Sequence, residues 1–110
     1  AEGSDDAVAT AFGGTEVDLR AALEWLADQH QVRRLACEGG AALNDAMFRA
    51  GLVDELFLTV CPVIFGGRNA PTLAEGRGVE HLSEASRWRL RSLRRLGDEA
   101  FLHFVRHPQP

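Results

Sequence analysis

The sequence predicts an α/β fold in which a mixed sheet with crossover helices ends in a C-terminal antiparallel hairpin. Two segments carry apolar residues at helical spacing, short apolar runs separate them, and two further extended segments flank a Gly-Asp turn. Strands joined by crossover helices run parallel and hairpin strands run antiparallel, so both pairings are expected. A length of 110 residues suits one domain, so we expect a single domain over residues 1–110, loose at residues 1–6 and 107–110.

The first part of the chain predicts a strand, a helix and a second strand. Residues 7–12 form a short apolar stretch before two glycines, which predicts a weak strand. Asp18 is a good N-cap, and the apolar residues after it recur every three or four positions, so a helix should run to about Gln29. Residues 32–37 form an apolar run too short for a helix, which predicts a buried strand.

The middle of the chain predicts a helix, a strand and a long loop. Residues 41–50 have helical periodicity, and Gly51 followed by Leu52 is typical of a helix C terminus. Residues 56–61 are almost wholly apolar, as expected of a strand covered on both faces. Residues 64–83 contain four glycines and a proline without periodicity, and long loops of this kind are often functional.

The end of the chain predicts the hairpin. Residues 88–92 and 100–106 form its two strands, with the turn at residues 97–99. Trp88 is expected in the core or in a subunit contact. The outer face of the first strand is predicted to carry a stripe of arginines that suits either solvent or a phosphate, with solvent favoured: Arg87, Arg89 and Arg91.

The composition excludes several classes of protein. All 12 basic residues are arginine and no tyrosine is present, which excludes a Schiff-base lysine, a P-loop lysine and a phenolic acid within this chain. A net charge of -4 argues against a nucleic-acid partner, and no apolar run approaches the ~18 residues of a membrane span. Four histidines without a completing cysteine or carboxylate predict no metal site. Two cysteines and no visible signal peptide favour a cytoplasmic location.

The most informative segment is residues 35–44, where an apolar run enters two glycines and a helix begins at once. Gly39 and Gly40 would let an anion approach the main chain, and Ala41 and Ala42 would offer the free N–H groups of the first turn. Glu38 would lie beside them, placed to hydrogen-bond an amino or hydroxyl group. Two interpretations remain open, a ligand site and a plain β–α turn with a first-turn acid, and the pattern alone favours the turn.

Taken with a second segment, this motif resembles a known family. The chain is similar to the C-terminal half of the reductase domain in the bacterial riboflavin-biosynthesis deaminase-reductase family, whose fold is dihydrofolate-reductase-like. The likeness extends over residues 7–105, although family domains are about twice this length. It rests on four motifs: Val17-Asp18-Leu19, Glu38-Gly39-Gly40-Ala41 with Leu43-Asn44, residues 50–56, and Pro62 through Gly66-Gly67.

The resemblance implies an NADPH-dependent oxidoreductase of the 5-amino-6-(5-phosphoribosylamino)uracil reductase type. Such an enzyme reduces the ribosylamino side chain of a phosphorylated 5-amino-pyrimidine to ribitylamino. Gly39, Gly40, Ala41 and Ala42 would then lie near the cofactor phosphates, and Glu38 would position the substrate as the catalytic residue. The alternatives are a paralogous reductase with another pterin or pyrimidine substrate, and a non-catalytic fragment or assembly module.

A homodimer is also expected. Phe48 lies opposite the helix face formed by Leu43 and Met47, so a second layer or a partner should cover it. The sequence predicts no nucleic-acid or membrane partner.

Overall fold

The computed structural model describes residues 17–108, so the strand predicted over residues 7–12 lies outside the described part. The described residues divide into two compact units, with the boundary between Glu38 and Gly39. The described elements are, in order, α1 (Leu19–His30), α2 (Ala41–Arg49), β1 (Glu55–Val60), a 3-10 helix (Leu82–Glu84), β2 (Trp88–Leu96) and β3 (Glu99–Arg106).

Helix α1, in the first unit, is capped at both ends by residues next to it in sequence. Asp18 has the extended backbone of an N-cap, and its carboxylate accepts a hydrogen bond from the N–H of Ala21 at 3.1 Å. At the other end Gln31 adopts a left-handed conformation with φ 53°, and its N–H donates to the carbonyl of Leu26. The predicted helix and its cap are therefore confirmed.

The prediction of a buried strand over residues 32–37 is wrong. These residues form no ladder with any strand of the described chain, and Leu35 is 57% exposed. A strand needs a neighbour that satisfies its N–H and C=O groups, and an apolar run does not supply one. Cys37 and Cys61, expected in buried segments, are both exposed thiols.

Helix α2 ends as its sequence predicts. Gly51 has φ 69° and donates its N–H to the carbonyl of Phe48 at 3.0 Å, while Leu52 donates to Met47 at 3.1 Å. This pair of hydrogen bonds is a Schellman motif, which requires the positive φ that glycine adopts without strain. Arg106 adds a further tie, because its guanidinium donates to the carbonyl of Gly51.

The buried face of α2 differs from the predicted one. Met47 is 6% exposed and Asp45 is 8% exposed, whereas Leu43 is exposed. Phe48 packs edge-to-face on Trp88 of β2, with ring centroids 5.7 Å apart. A second layer of the chain itself, the sheet, therefore contacts Phe48, as one of the two expected alternatives requires, and the homodimer stays a prediction.

The three described strands form one sheet in the order β1-β3-β2 with antiparallel pairing throughout. The predicted C-terminal hairpin is confirmed, and its turn uses Gly97 with φ 61°. The prediction that β1 is covered on both faces is wrong. Leu56 and Leu58 are half-buried, while Phe57 between them is 69% exposed, so β1 packs on one face only.

A β-bulge in β2 breaks the predicted arginine stripe. Leu90 pairs with Phe104 and Ser92 pairs with His103, so Arg91 is the extra residue between them. Every residue after the bulge changes face relative to a simple alternation. Arg94, opposite Phe101, therefore shares a face with Arg89, as the sequence pattern could not indicate.

Candidate functional site

The two glycines before α2 form a tight corner. Gly39 has φ 92°, a left-handed conformation that side chains rarely adopt, and the Gly39–Gly40 peptide bond is cis. Gly40 is the N-cap of α2, with φ −70° and ψ −165°. Its carbonyl accepts the first helical hydrogen bond, from the N–H of Asn44 at 2.9 Å.

This corner leaves the start of α2 without a side-chain cap. Gly40 offers no capping group, and the first turn contains no acidic residue. The N–H groups of Ala41 and Ala42 are early donors that a helix cannot satisfy internally. At the start of α1, by contrast, the carboxylate of Asp18 satisfies one of these donors. The start of α2 thus has the donors and the positive dipole end that favour an anion.

The corner is also open. A Cβ atom placed on Gly40 would meet no atom of the described residues within 4 Å. Because no atom of residues 17–108 packs against this Cα, an incoming group can approach the main chain closely. This open, uncapped geometry is compatible with a ligand site, and the choice between a ligand site and a plain turn stays a prediction.

Glu38 directly precedes the corner and is exposed. An exposed carboxylate can accept hydrogen bonds from amino or hydroxyl groups of a ligand. The predicted site residues Glu38, Gly39, Gly40, Ala41 and Ala42 are consecutive, so their closeness follows from the chain itself. Their roles toward cofactor and substrate remain predictions.

A short segment of the long loop packs against the first turns of α2, a contact that the sequence pattern does not indicate. We call residues 72–76 the strap. The side-chain amide of Asn44 donates to the carbonyl of Leu73 at 2.9 Å, and the N–H of Glu75 donates to the carbonyl of Ala41 at 3.0 Å. Asn44 is 29 positions from Leu73, so no local pattern could indicate this contact.

A cavity of about 770 Å³ lies toward the C-terminal end of α2. Phe48 and Trp88 contribute aromatic surface to it, and Asp45 and Arg49 contribute charge. Arg49 Nε lies 3.0 Å from Asp45 Oδ2, so these two charges neutralise each other. The cavity therefore presents no unpaired charge from this pair that would select a ligand.

The described part of the chain offers neither a metal-binding cluster nor a membrane-spanning helix. Within residues 17–108, histidine, cysteine, aspartate and glutamate side chains do not gather in groups of three or more that could bind a metal ion. None of the helices in that part of the chain has the length and apolar character needed to cross a bilayer.

The chain matches a known protein family and several named relatives. The sequence profile described as the RibD C-terminal domain matches residues 2–102. A 2,5-diamino-6-ribosylamino-4(3H)-pyrimidinone 5′-phosphate reductase of Methanothermobacter thermautotrophicus is 38% identical over 93 residues, which cover 84% of this chain and 43% of that protein. The enzyme of the same name from Aquifex aeolicus is 41% identical over 78 residues, or 71% of this chain and 30% of that protein.

The fold is similar to that of a solved RibD protein. RibD from Acinetobacter baumannii superposes with a TM-score of 0.72 and 25% identity, covering 84% of this chain and 25% of that one. The predicted α/β, dihydrofolate-reductase-like fold class is thereby confirmed. The chain spans less than half the length of these relatives.

Proposed function

Because the chain belongs to the RibD C-terminal domain family, we propose that it contributes the cofactor-binding part of an NADPH-dependent reductase of riboflavin biosynthesis. The substrate would be a phosphorylated ribosylaminopyrimidine. The observation that carries the proposal is the open, uncapped start of α2 at Gly39 and Gly40. The choice of NADPH among the nicotinamide cofactors rests on the resemblance to the family.

The residues at the corner suit a pyrophosphate. A phosphate oxygen can accept from the N–H groups of Ala41 and Ala42, and the absence of a Cβ on Gly40 allows it to come close. The helix dipole adds ~0.3–1 kcal/mol for an anion at an exposed position. When bound, NADPH supplies the hydride that converts a ribosylamino group into a ribitylamino group.

Glu38 is proposed to orient the substrate. Its exposed carboxylate precedes Gly39 directly, so a residue that contacts the substrate is continuous with the residues that bind the phosphates. Accepting a hydrogen bond from a ribosyl hydroxyl or from an amino group would fix the side chain that is reduced. A proton must reach the reduced group, and Glu38 is the candidate that would help to deliver it.

The substrate class follows the names of the relatives. The archaeal and Aquifex relatives are named for a 2,5-diamino-6-ribosylaminopyrimidinone phosphate, and others are named as RibD. We propose the 5-amino-6-(5-phosphoribosylamino)uracil type of substrate, with a paralogous pterin or pyrimidine substrate as the alternative. A biosynthetic enzyme of this kind would work in the cytoplasm, where NADPH and phosphorylated intermediates are available.

A second candidate is a binding or assembly module without turnover of its own. It is favoured by the length of the match, since this chain covers only 43% of the Methanothermobacter reductase. Hydride transfer needs both reactants held in near-attack geometry. A chain that binds the cofactor but does not complete the substrate pocket would bind without turnover.

One experiment separates these candidates. NADPH is titrated against the chain while the fluorescence of Trp25 and Trp88 is followed, and NADPH oxidation is then assayed with the pyrimidine substrate. Binding with turnover supports the reductase, and binding without turnover supports the module.

The Gly40→Val variant should remain soluble but bind NADPH weakly, because its side chain would occupy the open space over the helix start. Equal affinity in this variant would contradict the assigned site.

We also propose a homodimer. The proposal rests on exposed apolar residues after β1 and not on Phe48, which packs on Trp88. Val63, Ile64 and Phe65 follow β1 and expose apolar side chains, with Ile64 98% exposed. Consecutive exposed apolar residues of this size are typical of an interaction surface. Light scattering at micromolar concentration should give twice the mass of the chain, and a clean monomer would remove the proposal.

A further inference from the structure

We propose that Asn44 is a positioning residue, which acts with the strap to hold the Gly39–Gly40 corner in the geometry that binds the cofactor phosphates. The inference rests on the proposed function, and extends it from the residues that would contact the cofactor to those that hold them. Neither the resemblance nor the names of the relatives assign a role to this contact.

The first support is the position of the Asn44 side chain. Asn44 lies in the second turn of α2, and its N–H already donates to the carbonyl of Gly40 at 2.9 Å. A Cβ built on Gly39 would lie 3.4 Å from Asn44 Nδ2 and 3.8 Å from Oδ1. The amide group therefore lies directly beside the corner, and Asn44 touches it through both main chain and side chain.

The second support is the tie from Asn44 to the strap. Its Nδ2 donates to the carbonyl of Leu73 at 2.9 Å, which links the corner to a segment 29 positions away. A second hydrogen bond joins the strap to α2, because the N–H of Glu75 donates to the carbonyl of Ala41 at 3.0 Å. The carbonyl of Ala41 and the N–H of Ala42 belong to one planar peptide unit, so the strap anchors a peptide whose N–H would contact phosphate.

The third support is the tight fit of the strap on α2. A Cβ on Gly76 would lie 2.8 Å from Asp45 Cγ and 3.2 Å from its Cβ, so only glycine allows this approach. Asp45 is itself fixed by Arg49, whose Nε lies 3.0 Å from its carboxylate. A hydrogen bond within the strap also stabilises its own conformation: the N–H of Thr72 donates to the carboxylate of Glu75 at 2.8 Å.

These contacts make the strap and Asn44 one connected support for the start of α2. Anion binding by main-chain N–H groups depends on their direction, because hydrogen bonds weaken steeply away from linearity. A support that fixes the peptides at residues 39–41 would preserve that direction before the cofactor arrives. Its loss should weaken cofactor binding more than it weakens the fold.

Two variants test the support from opposite sides. Asn44→Ala removes the amide that joins the corner to Leu73, and Gly76→Ala pushes the strap away from Asp45 without touching the corner. Asn69→Ala is the matched control, since Asn69 is the other asparagine of the chain and is exposed in the same long loop. Each variant of the full chain is checked by thermal unfolding, so that the assays are made well below its transition.

The first readout is hydrogen exchange without cofactor. We expect the Glu75 amide to exchange about threefold to tenfold faster in Asn44→Ala and Gly76→Ala, which corresponds to the net effect of one hydrogen bond. The Asn69→Ala control should exchange as the unmodified chain does. Unchanged protection of Glu75 in both test variants would overturn the positioning role, whether or not the chain binds a nicotinamide cofactor.

The second readout is the dissociation constant for NADPH. The two test variants should raise it by about threefold to tenfold, with little change for Asn69→Ala. Faster exchange with unchanged NADPH affinity would overturn the inference and leave the proposed function intact. If the unmodified chain does not bind NADPH, the proposed function fails first, and the role of Asn44 toward a cofactor fails with it.

Discussion

A carboxylate added at Gly40 should leave the stability of α2 unchanged or slightly higher while it weakens cofactor binding. Gly40 has the extended backbone of an N-cap, and nothing among the described residues fills the space above its Cα. In Gly40→Asp the new carboxylate can therefore accept from the first-turn N–H groups, as Asp18 does at the start of α1. Aspartate is favoured over glycine at an N-cap by only ~0.3 kcal/mol, so stability should hold or rise slightly.

Cofactor binding should suffer much more in this variant. The carboxylate would compete for the same N–H groups and would lie near the phosphates. Two unit charges ~5 Å apart repel by about 3 kcal/mol at an effective dielectric of 20 and by about 0.8 kcal/mol in water. For a pyrophosphate with two charges, the lower figure alone raises the dissociation constant for NADPH by more than about tenfold, and the higher one by several orders of magnitude.

Calorimetric titration of NADPH and thermal unfolding would measure the two effects. Gly40→Asn is the matched control, because it has the same shape and capping ability without the charge. It should lose less affinity than Gly40→Asp, and only the difference between the two should shrink with added salt. A folded Gly40→Asp variant that binds NADPH as tightly as the unmodified chain would refute the reasoning.

Three further predictions concern the framework and the assembly. Asp18→Ala should destabilise α1 by about 1 kcal/mol through loss of the cap to Ala21, measured as helix content by circular dichroism during urea unfolding; an unchanged midpoint would show that this cap is unimportant. Gly51→Ala should cost about 1 kcal/mol or more, because φ is 69° there, and a stability equal to the parent's would argue against the left-handed helix end. Ile64→Asp should shift the chain from dimer toward monomer in light scattering without lowering its melting temperature, and a persistent dimer would place the interface elsewhere.

Local chemistry made part of the fold predictable. Asp18 as a cap, Gly51 with Leu52 at a helix end and Gly97 in the hairpin turn each act through hydrogen bonds or dihedral angles within a few residues. Such signals can be read from a short window of sequence. The positions of both described helices and of the hairpin followed from them.

Features that depend on distant residues were not predictable. Residues 32–37 have the composition of a strand, but pairing depends on a neighbour that their own sequence cannot specify. The bulge at Arg91 changes which arginines share a face, although the local pattern alternates regularly. Burial of Phe57 depends on what covers the outer face of β1, and this too lies beyond the strand's own sequence.

The candidate site, too, has a part that the sequence predicts and a part that it does not. The glycines and the start of α2 were visible because a Gly-Gly pair directly before a helix is a local pattern. The strap was not visible, because Asn44 meets Leu73 across a separation of 29 residues. The Gly76 position could have suggested a close approach, but a glycine in a loop rich in glycines carries little information.

The central claim is that the N–H groups at the start of α2 bind the phosphates of a dinucleotide. Amide spectra of the ¹⁵N-labelled chain, recorded during a titration with NADPH, test it most directly. We predict that the amides of Gly40, Ala41 and Ala42 shift, while that of Ala21, already capped by Asp18, does not. Shifts confined to the cavity beside Trp88, with Ala41 and Ala42 unmoved, would contradict the claim.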